Sequence, residues 1–596
     1  MDVANALNPS FPIDFSSPYF SISTIVPLLL GNTAIILLTM LDQLQSPLFR
    51  LPRELRDDIY EHYAHDENGV FYDYASNKLR YENKEKHQER TALTRCCKQA
   101  AEEMKDAAMR ANTISFLPAR SHKDGVEVND LDSRAGRFER LLQFSRRMKM
   151  HILHHVTKSG CVTPAIRDQV TARFPGISRY YRTVYDAIED GRDLYSSRAL
   201  FRNDHTWRWQ TSATLCEAIQ YTLDLASLHS AFDNAAARAF STPWMCHSRM
   251  PPFLPGSHKA VLAWNPEWWL IPTEADLALE SCLADPSRRD LIGETDRGEP
   301  MAPVAWYFSA ASVAINFLKA LPRSSRLLLR TTIVIKEEKR GVAYPESHLR
   351  GLTPFLLENP HLHVELQVGF WTSLMHPVWL EPVVHHCLNE STLPKENMLR
   401  SFADLLDELH ALSANGVTAH ALSVAIEGQN IDSVLLWETI KHAASLQEAL
   451  AGSDYIKQHH EIDRRLVRSK MEFENTLHDY AMRERFQLPC DLPPCFHDMV
   501  RRITLGEYFI RFDGNAGEVW DSATEISARK DWTPQQFYEE WYASFGGRHM
   551  TLPAGGVPAF FAMYELQELW CGTHPWKWVS LDGSDTFEYS PSGLSS

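Results

Sequence analysis

The chain lacks the short signatures by which most enzymes are recognised. It contains no GxSxG, no GxxxxGK[ST], no GxGxxG after a strand and no HExxH. The nucleophile elbow, the phosphate-cradling loop, the dinucleotide turn and the two-histidine zinc helix are therefore missing. His460-Glu461 opens an HExxH, but Arg464 stands where the second histidine must be. Asp513-Gly514-Asn515-Ala516-Gly517 starts like a calcium loop, yet Glu518 occupies the obligatory glycine position and Thr524 that of the bidentate glutamate. A disulfide framework is lacking too. The ten cysteines are scattered without a CxxC pair, which reads as reduced thiols in the cytoplasm or nucleus. Positive charge is in deficit: 60 Lys and Arg face 76 Asp and Glu, a net charge of −16. Phosphate binding rests on clustered cations, so nucleic acid is not an expected partner.

What is present is a long, ordinary globular composition. With 596 residues, 44% hydrophobic and 23% charged, the chain has material for several domains and ample core. Three histidine groups carry metal-ligand residue types: His151 and His155 with Cys161 nearby, His385-His386-Cys387, and Cys490, Cys495 and His497. The first has the i, i+4 spacing that puts two imidazoles on one helix face. None supplies the four ligands of a zinc site, so packed or surface histidines are expected, with no metal and no cofactor. Residues 1–45 are unusual, because Phe15–Leu41 carries no charge. Its length nearly spans a bilayer, but Pro27, Gly31 and Asn32 interrupt it and no basic residue precedes it. Two readings stand: a membrane segment over residues 20–41, or a disordered leader upstream of a second usable start at Met40.

The stretch most informative about function is Leu51-Pro52-Arg53-Glu54-Leu55-Arg56-Asp57-Asp58-Ile59-Tyr60. Proline suits the first helical position, where its missing N–H would go unpaired anyway, and Glu54 meets the positive end of the helix dipole. Leu51, Leu55, Ile59 and Tyr63 recur every four residues, giving one apolar stripe on a helix near 52–63. Ser46-Pro47 suggests a short turn before it, carrying Leu48 and Phe49. A second helix is expected over 91–110, with Leu93, Cys97, Ala100, Met104 and Ala107 on one face, followed by a strand at Thr113–Leu117.

This opening resembles an F-box, and more closely the LPxELRxxIY start of a group of fungal F-box-like proteins. The second helix, Leu93–Met104, the strand-like Asn112–Phe116, and the FLKALP and GLTPFLLENPHL segments within Ala314–Glu365 are similar to that group as well. The resemblance implies docking onto a Skp-type adaptor of a cullin ubiquitin ligase, with Leu51, Pro52, Leu55, Ile59, Tyr60, Leu93 and Cys97 as partner-binding residues. The chain departs from the compact pattern in one respect. Residues 64–90 insert a polar, tyrosine-containing segment between the two helices.

The rest reads as a helix-rich, mixed α/β chain. An F-box-like unit at 46–118 and a polar linker at 119–134 precede a helical, then Trp- and Pro-rich region at 135–303. Within it, helices are expected near 135–156, through 180–188 and over 213–240. Residues 304–450 alternate: helix 305–321, strand 327–335, helix 346–358, strand 362–368, helix 400–413 stopped by Asn415-Gly416, strand 420–427, helix 432–450. Such alternation implies βαβ units with right-handed crossovers and a mostly parallel sheet. No 20–29-residue period supports a regular leucine-rich repeat. A long charged helix at 454–486, an aromatic α+β region reaching 579 and a disordered tail over 580–596 complete the expectation.

Three functions fit. The first is a non-catalytic adaptor that recruits an unknown protein substrate to a cullin-type ubiquitin ligase. The second is an interaction or structural protein that kept the F-box-like helix as core and binds no ubiquitin machinery. The third is an enzyme whose carboxylates converge from distant segments without a short motif. Burial of Leu55 and Ile59 distinguishes the first two, and a deep polar pocket would favour the third.

Overall fold

The computed structural model describes residues 46–81, 90, 92–120, 133–174, 212–241, 256–279, 306–329, 332–339, 341–374, 392–428, 433–453, 492–545, 549–551, 576–581 and 584–589. The leader before residue 46, the helix expected through 180–188, the histidine group at 385–387 and the charged helix at 454–486 lie outside these residues. The chain divides into two compact units. One comprises residues up to His65 together with Glu85–Ala111; the other comprises Asp66–Lys84 and everything from Asn112 onward.

The first unit is helical. A 3-10 turn, Leu48–Arg50, leads into the helix Arg53–Ala64, with Pro52 as its N-cap in an extended conformation. The second expected helix is broken into three pieces: the 3-10 turn Leu93–Arg95 and the helices Lys98–Glu103 and Ala107–Ala111. The break at Cys97 has a local cause. Its backbone is extended and its sulfur accepts the Ala100 N–H, so the residue caps a new helix instead of continuing one. Tyr60, Ala64, Met104 and Ala107 form the core, with Leu48, Tyr63 and Leu93 packed against it.

The second unit is built on a seven-stranded, mostly parallel sheet. Its strands are β1 (Val70–Asp73), β2 (Lys78–Arg80), β3 (Ile114–Phe116), β4 (Thr332–Glu337), β5 (His363–Gly369), β6 (Leu422–Glu427) and β7 (Ile510–Phe512). They lie in the order β2-β1-β3-β4-β5-β6-β7. Only the β1–β2 hairpin is antiparallel. The boundary expected at 118 is thereby revised. The polar insert and the following strand are sheet members of the second unit, since a strand left outside a sheet would leave its N–H and C=O groups unpaired.

From β3 to β7 each strand is laid beside the previous one, without reversal. Right-handed crossovers in such an order place their helices on one face. The burial agrees: Ile114, Phe116, Ile333, Ile335, Val364, Leu366, Val368, Leu422, Val424 and Ile426 are all buried. On this face Phe317, from the helix Ala310–Ala320, lies 5.4 Å from the Phe116 ring. On the same face Trp437, from the helix Ser433–Gly452, stacks on Phe512 at 4.5 Å. Of the alternate positions, Ser115, Lys336, His363, Glu365, Gln367 and Ser423 are half-exposed, Arg511 is exposed, and Val334 and Ala425 are buried.

The expected α/β run is realised with shifted edges. The apolar Leu327-Leu328-Leu329 is not strand. It follows the short helix Arg323–Arg326, and Asn359 donates to the carbonyls of Arg326 (3.0 Å) and Leu329 (2.7 Å). The strand itself is Thr332–Glu337. The expected helix at 346–358 is a 3-10 segment, Pro345–Leu352, followed by the helix Thr353–Glu358. Gly416, at φ 91°, closes the helix Lys395–Ala414 as expected. Upstream, Arg134–Lys158, Pro164–Arg173, Ser212–Ala226 and Phe232–Ser241 are helical, the last two replacing the single helix expected over 213–240. The tail expected to be disordered from 580 instead continues a hairpin in which Trp576–Leu581 pairs with Ser584–Tyr589.

Candidate docking site on the N-terminal helix

The helix Arg53–Ala64 has two faces of different chemistry. Its inward face carries Arg56, Tyr60 and Ala64, spaced four apart. Tyr60 is 0% exposed and Glu103, which it meets, only 7%. The Arg56 guanidinium grips that carboxylate with two bonds, 2.8 Å to Oε2 and 2.7 Å to Oε1, while its Nη1 donates to the Leu51 carbonyl at 2.6 Å. Tyr60 donates its hydroxyl to Glu103 Oε2 at 2.9 Å, and Gln99 donates to Oε1 at 3.0 Å. A fork-to-carboxylate pair fixes orientation as well as charge. Chiefly through the Arg56 hydrogen bonds, it holds the Glu103 carboxyl down at about 2. The Tyr60 phenol is pushed up to about 12, first by burial and then by its bond to Glu103.

The other face carries the apolar stripe. Leu55 is 49% exposed and Ile59 41%, with Leu51 and Tyr63 half-buried and Pro52 exposed. The stripe was expected either to dock or to be core, and its centre is not core. Tyr60 is corrected: with no exposed surface it anchors the helix and is not a contact of the docking face. Leu93 is half-buried against the core of its unit, and Cys97 serves as a helix cap. Of the seven candidate residues, Pro52, Leu55 and Ile59 are exposed and Leu51 is half-buried. The anchoring role of Glu103 was missed, because its partners are 43 and 47 residues away and no local pattern connects them.

Of the metal candidates, His151, His155, Cys161, Cys495 and His497 lie among the described residues. His151 and His155 are stacked edge to face at 4.9 Å, as i, i+4 spacing requires. Burial, first among the causes, pushes His151 down to about 3 and His155 down to about 4. Among the described residues no three His, Cys, Asp or Glu side chains gather as a cation would need. Cys495 is pushed up to about 12, by burial and then by Asp407, and His497 is bonded to Gln447 at its backbone N–H.

One constellation has the residue types of acyl-transfer chemistry. His348 Nε2 lies 2.6 Å from the Ala343 carbonyl, so that nitrogen carries the proton and Nδ1 accepts. Nδ1 lies 2.6 Å from Ser309 Oγ and 2.9 Å from Ser312 Oγ. Glu337 accepts the Ala310 and Ala311 N–H groups at the start of the adjoining helix. His348, Ser309, Ser312 and Glu337 are all buried. The group satisfies its own hydrogen bonds inside a core and presents no nucleophile.

No protein-family model, no curated protein and no solved structure matches the chain. Among the described residues no helix is long and apolar enough to cross a membrane.

Proposed function

We propose that the protein is a non-catalytic, substrate-recruiting adaptor whose first helix docks a Skp-type partner of a cullin ubiquitin ligase. The single observation supporting this most directly is the exposure of Leu55 and Ile59 on a helix tethered from its other side by Arg56, Tyr60 and Glu103. Exposed aliphatic residues at i, i+4 on a rigidly held helix suit the helix-in-groove mode, and their position in the LPxELRxxIY motif is where the F-box resemblance puts the contact. The half-exposed polar positions around Glu365 on the second unit's sheet are the surface this reading assigns to substrate. There Glu365 accepts from Gln367 at 3.0 Å and from Arg511 at 3.2 Å.

The test is affinity capture of the full chain from its native host. A Skp-type adaptor and a cullin should co-purify with the wild type and be lost together from the Leu55→Ala/Ile59→Ala variant. Their absence from the wild-type capture would leave the second reading, an interaction protein without ubiquitin machinery. Their retention by the double variant would exclude this face.

A further inference from the structure

In the second unit the helices Arg134–Lys158 and Ser212–Ala226 and the segment 264–268 wall a cavity of about 20 Å³. A cavity of about 10–15 Å³ already admits a water, so this one has room for a single small occupant. Leu142, Ile219 and Trp264 make much of the wall apolar, and Arg146, Lys149 and Trp268 bring nitrogen donors.

Lys149 is the unusual member. It is 7% exposed, and among the described residues its Nζ makes one bond, donated to the Trp264 carbonyl at 2.7 Å. An ammonium group has three hydrogens, so two of them lack an acceptor there. Trp268 is equally buried, and its indole N–H, which can only donate, also has no acceptor among the described residues. The carboxylates on the surrounding elements are engaged elsewhere. Asp224 accepts from Gln220 at 2.8 Å, and Glu139 accepts the Ala343 N–H at 2.7 Å. Glu217 pairs with Arg350 at 2.9 Å and Glu267 with Lys319 at 3.1 Å. Cys216 donates to the Tyr344 hydroxyl at 3.5 Å, and burial pushes both groups up, so neither supplies a negative charge. The unmet capacity around the cavity is therefore of one kind, donors and positive charge. A buried ammonium beside a neutral carbonyl alone is costly, and a counter-charge relieves that cost.

We propose that this cavity binds one small monovalent anion of the size of chloride, with Lys149 as its counter-ion. Arg146 adds a second positive charge to the lining. Sulfate and phosphate, with five heavy atoms each, exceed the room available. The assignment also implies a proton linkage. Burial pushes Lys149 down to about 8, so the amine is mostly charged at neutral pH and becomes neutral just above it. An anion favours the charged form, so its affinity is greatest below that value and falls as pH rises through it. The site lies apart from the helix that carries the adaptor reading and does not depend on it.

The probe is sodium chloride, followed by ³⁵Cl line broadening on the full chain at an ionic strength held constant with sodium sulfate. Broadening beyond that of buffer should saturate in the millimolar range and be displaced by bromide. Lys149→Met, which keeps the length of the side chain and removes its charge, should weaken chloride tenfold or more. For the wild type the affinity should fall about tenfold between about pH 7 and about pH 9. No saturable broadening with the wild type, full binding by Lys149→Met, or an affinity constant over that pH range would each overturn the assignment. Should Lys149→Met fail to fold, the pH profile and the bromide competition on the wild type decide the question alone.

Discussion

Truncating Leu55 and Ile59 to alanine should leave the first helix standing, and the structure gives the size of the effect. Removing a fully buried leucine or isoleucine side chain down to alanine forfeits about 2.4 kcal/mol of transfer free energy, at about 0.8 kcal/mol per methylene. Leu55 and Ile59 retain 49% and 41% exposure, so each loses only about half of that. No enclosed cavity forms at a solvent-facing site, so the additional cavity cost is absent. The double variant should therefore cost about 2 to 2.5 kcal/mol. Tyr60→Ala differs in kind: a wholly buried ring leaves a cavity and strips Glu103 of one hydrogen bond, which should cost about 4 kcal/mol or more. Because the chain divides into two compact units, a global melt would average over both. Native-state hydrogen exchange at the amides of Arg53–Ala64 reads the opening free energy of this helix directly. The ordering Tyr60→Ala well above the double variant is expected. Equal costs, or a double-variant cost beyond about 4 kcal/mol, would show the two aliphatic side chains to be enclosed and would remove the basis of the docking face.

Three further outcomes are expected. Ala343 and Tyr344 are consecutive non-glycine residues at positive φ, 63° and 60°. Relief of left-handed strain should thus offset the lost methyl in Ala343→Gly, leaving stability within about 0.5 kcal/mol, while the β-branched Ala343→Val should cost about 2 kcal/mol or more; a urea titration showing glycine as costly as valine would refute this. Asp407 is pushed up to about 7 by burial and then by Glu408. With a folded value above the unfolded one, the native state binds the proton more tightly, so this contribution is greatest below about pH 4 and is lost as pH rises to about 7. Unfolding free energies measured from pH 4 to 8 should accordingly fall less steeply for Asp407→Asn than for the wild type, and identical slopes would contradict the assignment. A chain beginning at Met40 should keep the wild-type melting temperature, since a leader uncharged over Phe15–Leu41 and broken by Pro27 and Gly31 precedes the first turn; a clear drop on truncation would show that the leader packs on the folded chain.

Local periodicity determined a good deal about this protein. The four-residue recurrence of Leu51, Leu55 and Ile59 marks the first helix within a residue or two, and the alternation over 304–450 marks the strands at 363–369 and 422–427 and the helices that separate them. Both patterns are short-range: side chains four apart share a helix face, and strand residues two apart share a sheet face. The parallel character of the sheet follows from the connecting helices, which are too long for hairpins.

Tertiary structure decided the rest, because the deciding partners are far apart in sequence. Leu327–Leu329 reads as strand by composition but forms a turn, with Asn359 donating to the Leu329 carbonyl from about 30 residues away. The 64–90 insert reads as a polar interruption of the head, yet Val70 and Phe71 find parallel partners in Ile114 and Ser115 and so belong to the other unit. The stripe itself could not announce whether it faced a core or solvent. That was settled by a buried anchor on the opposite side, where Arg56 and Tyr60 close on Glu103 and turn Leu55 and Ile59 outward. An amphipathic sequence states which residues share a face; only the packing of distant segments determines which face is covered.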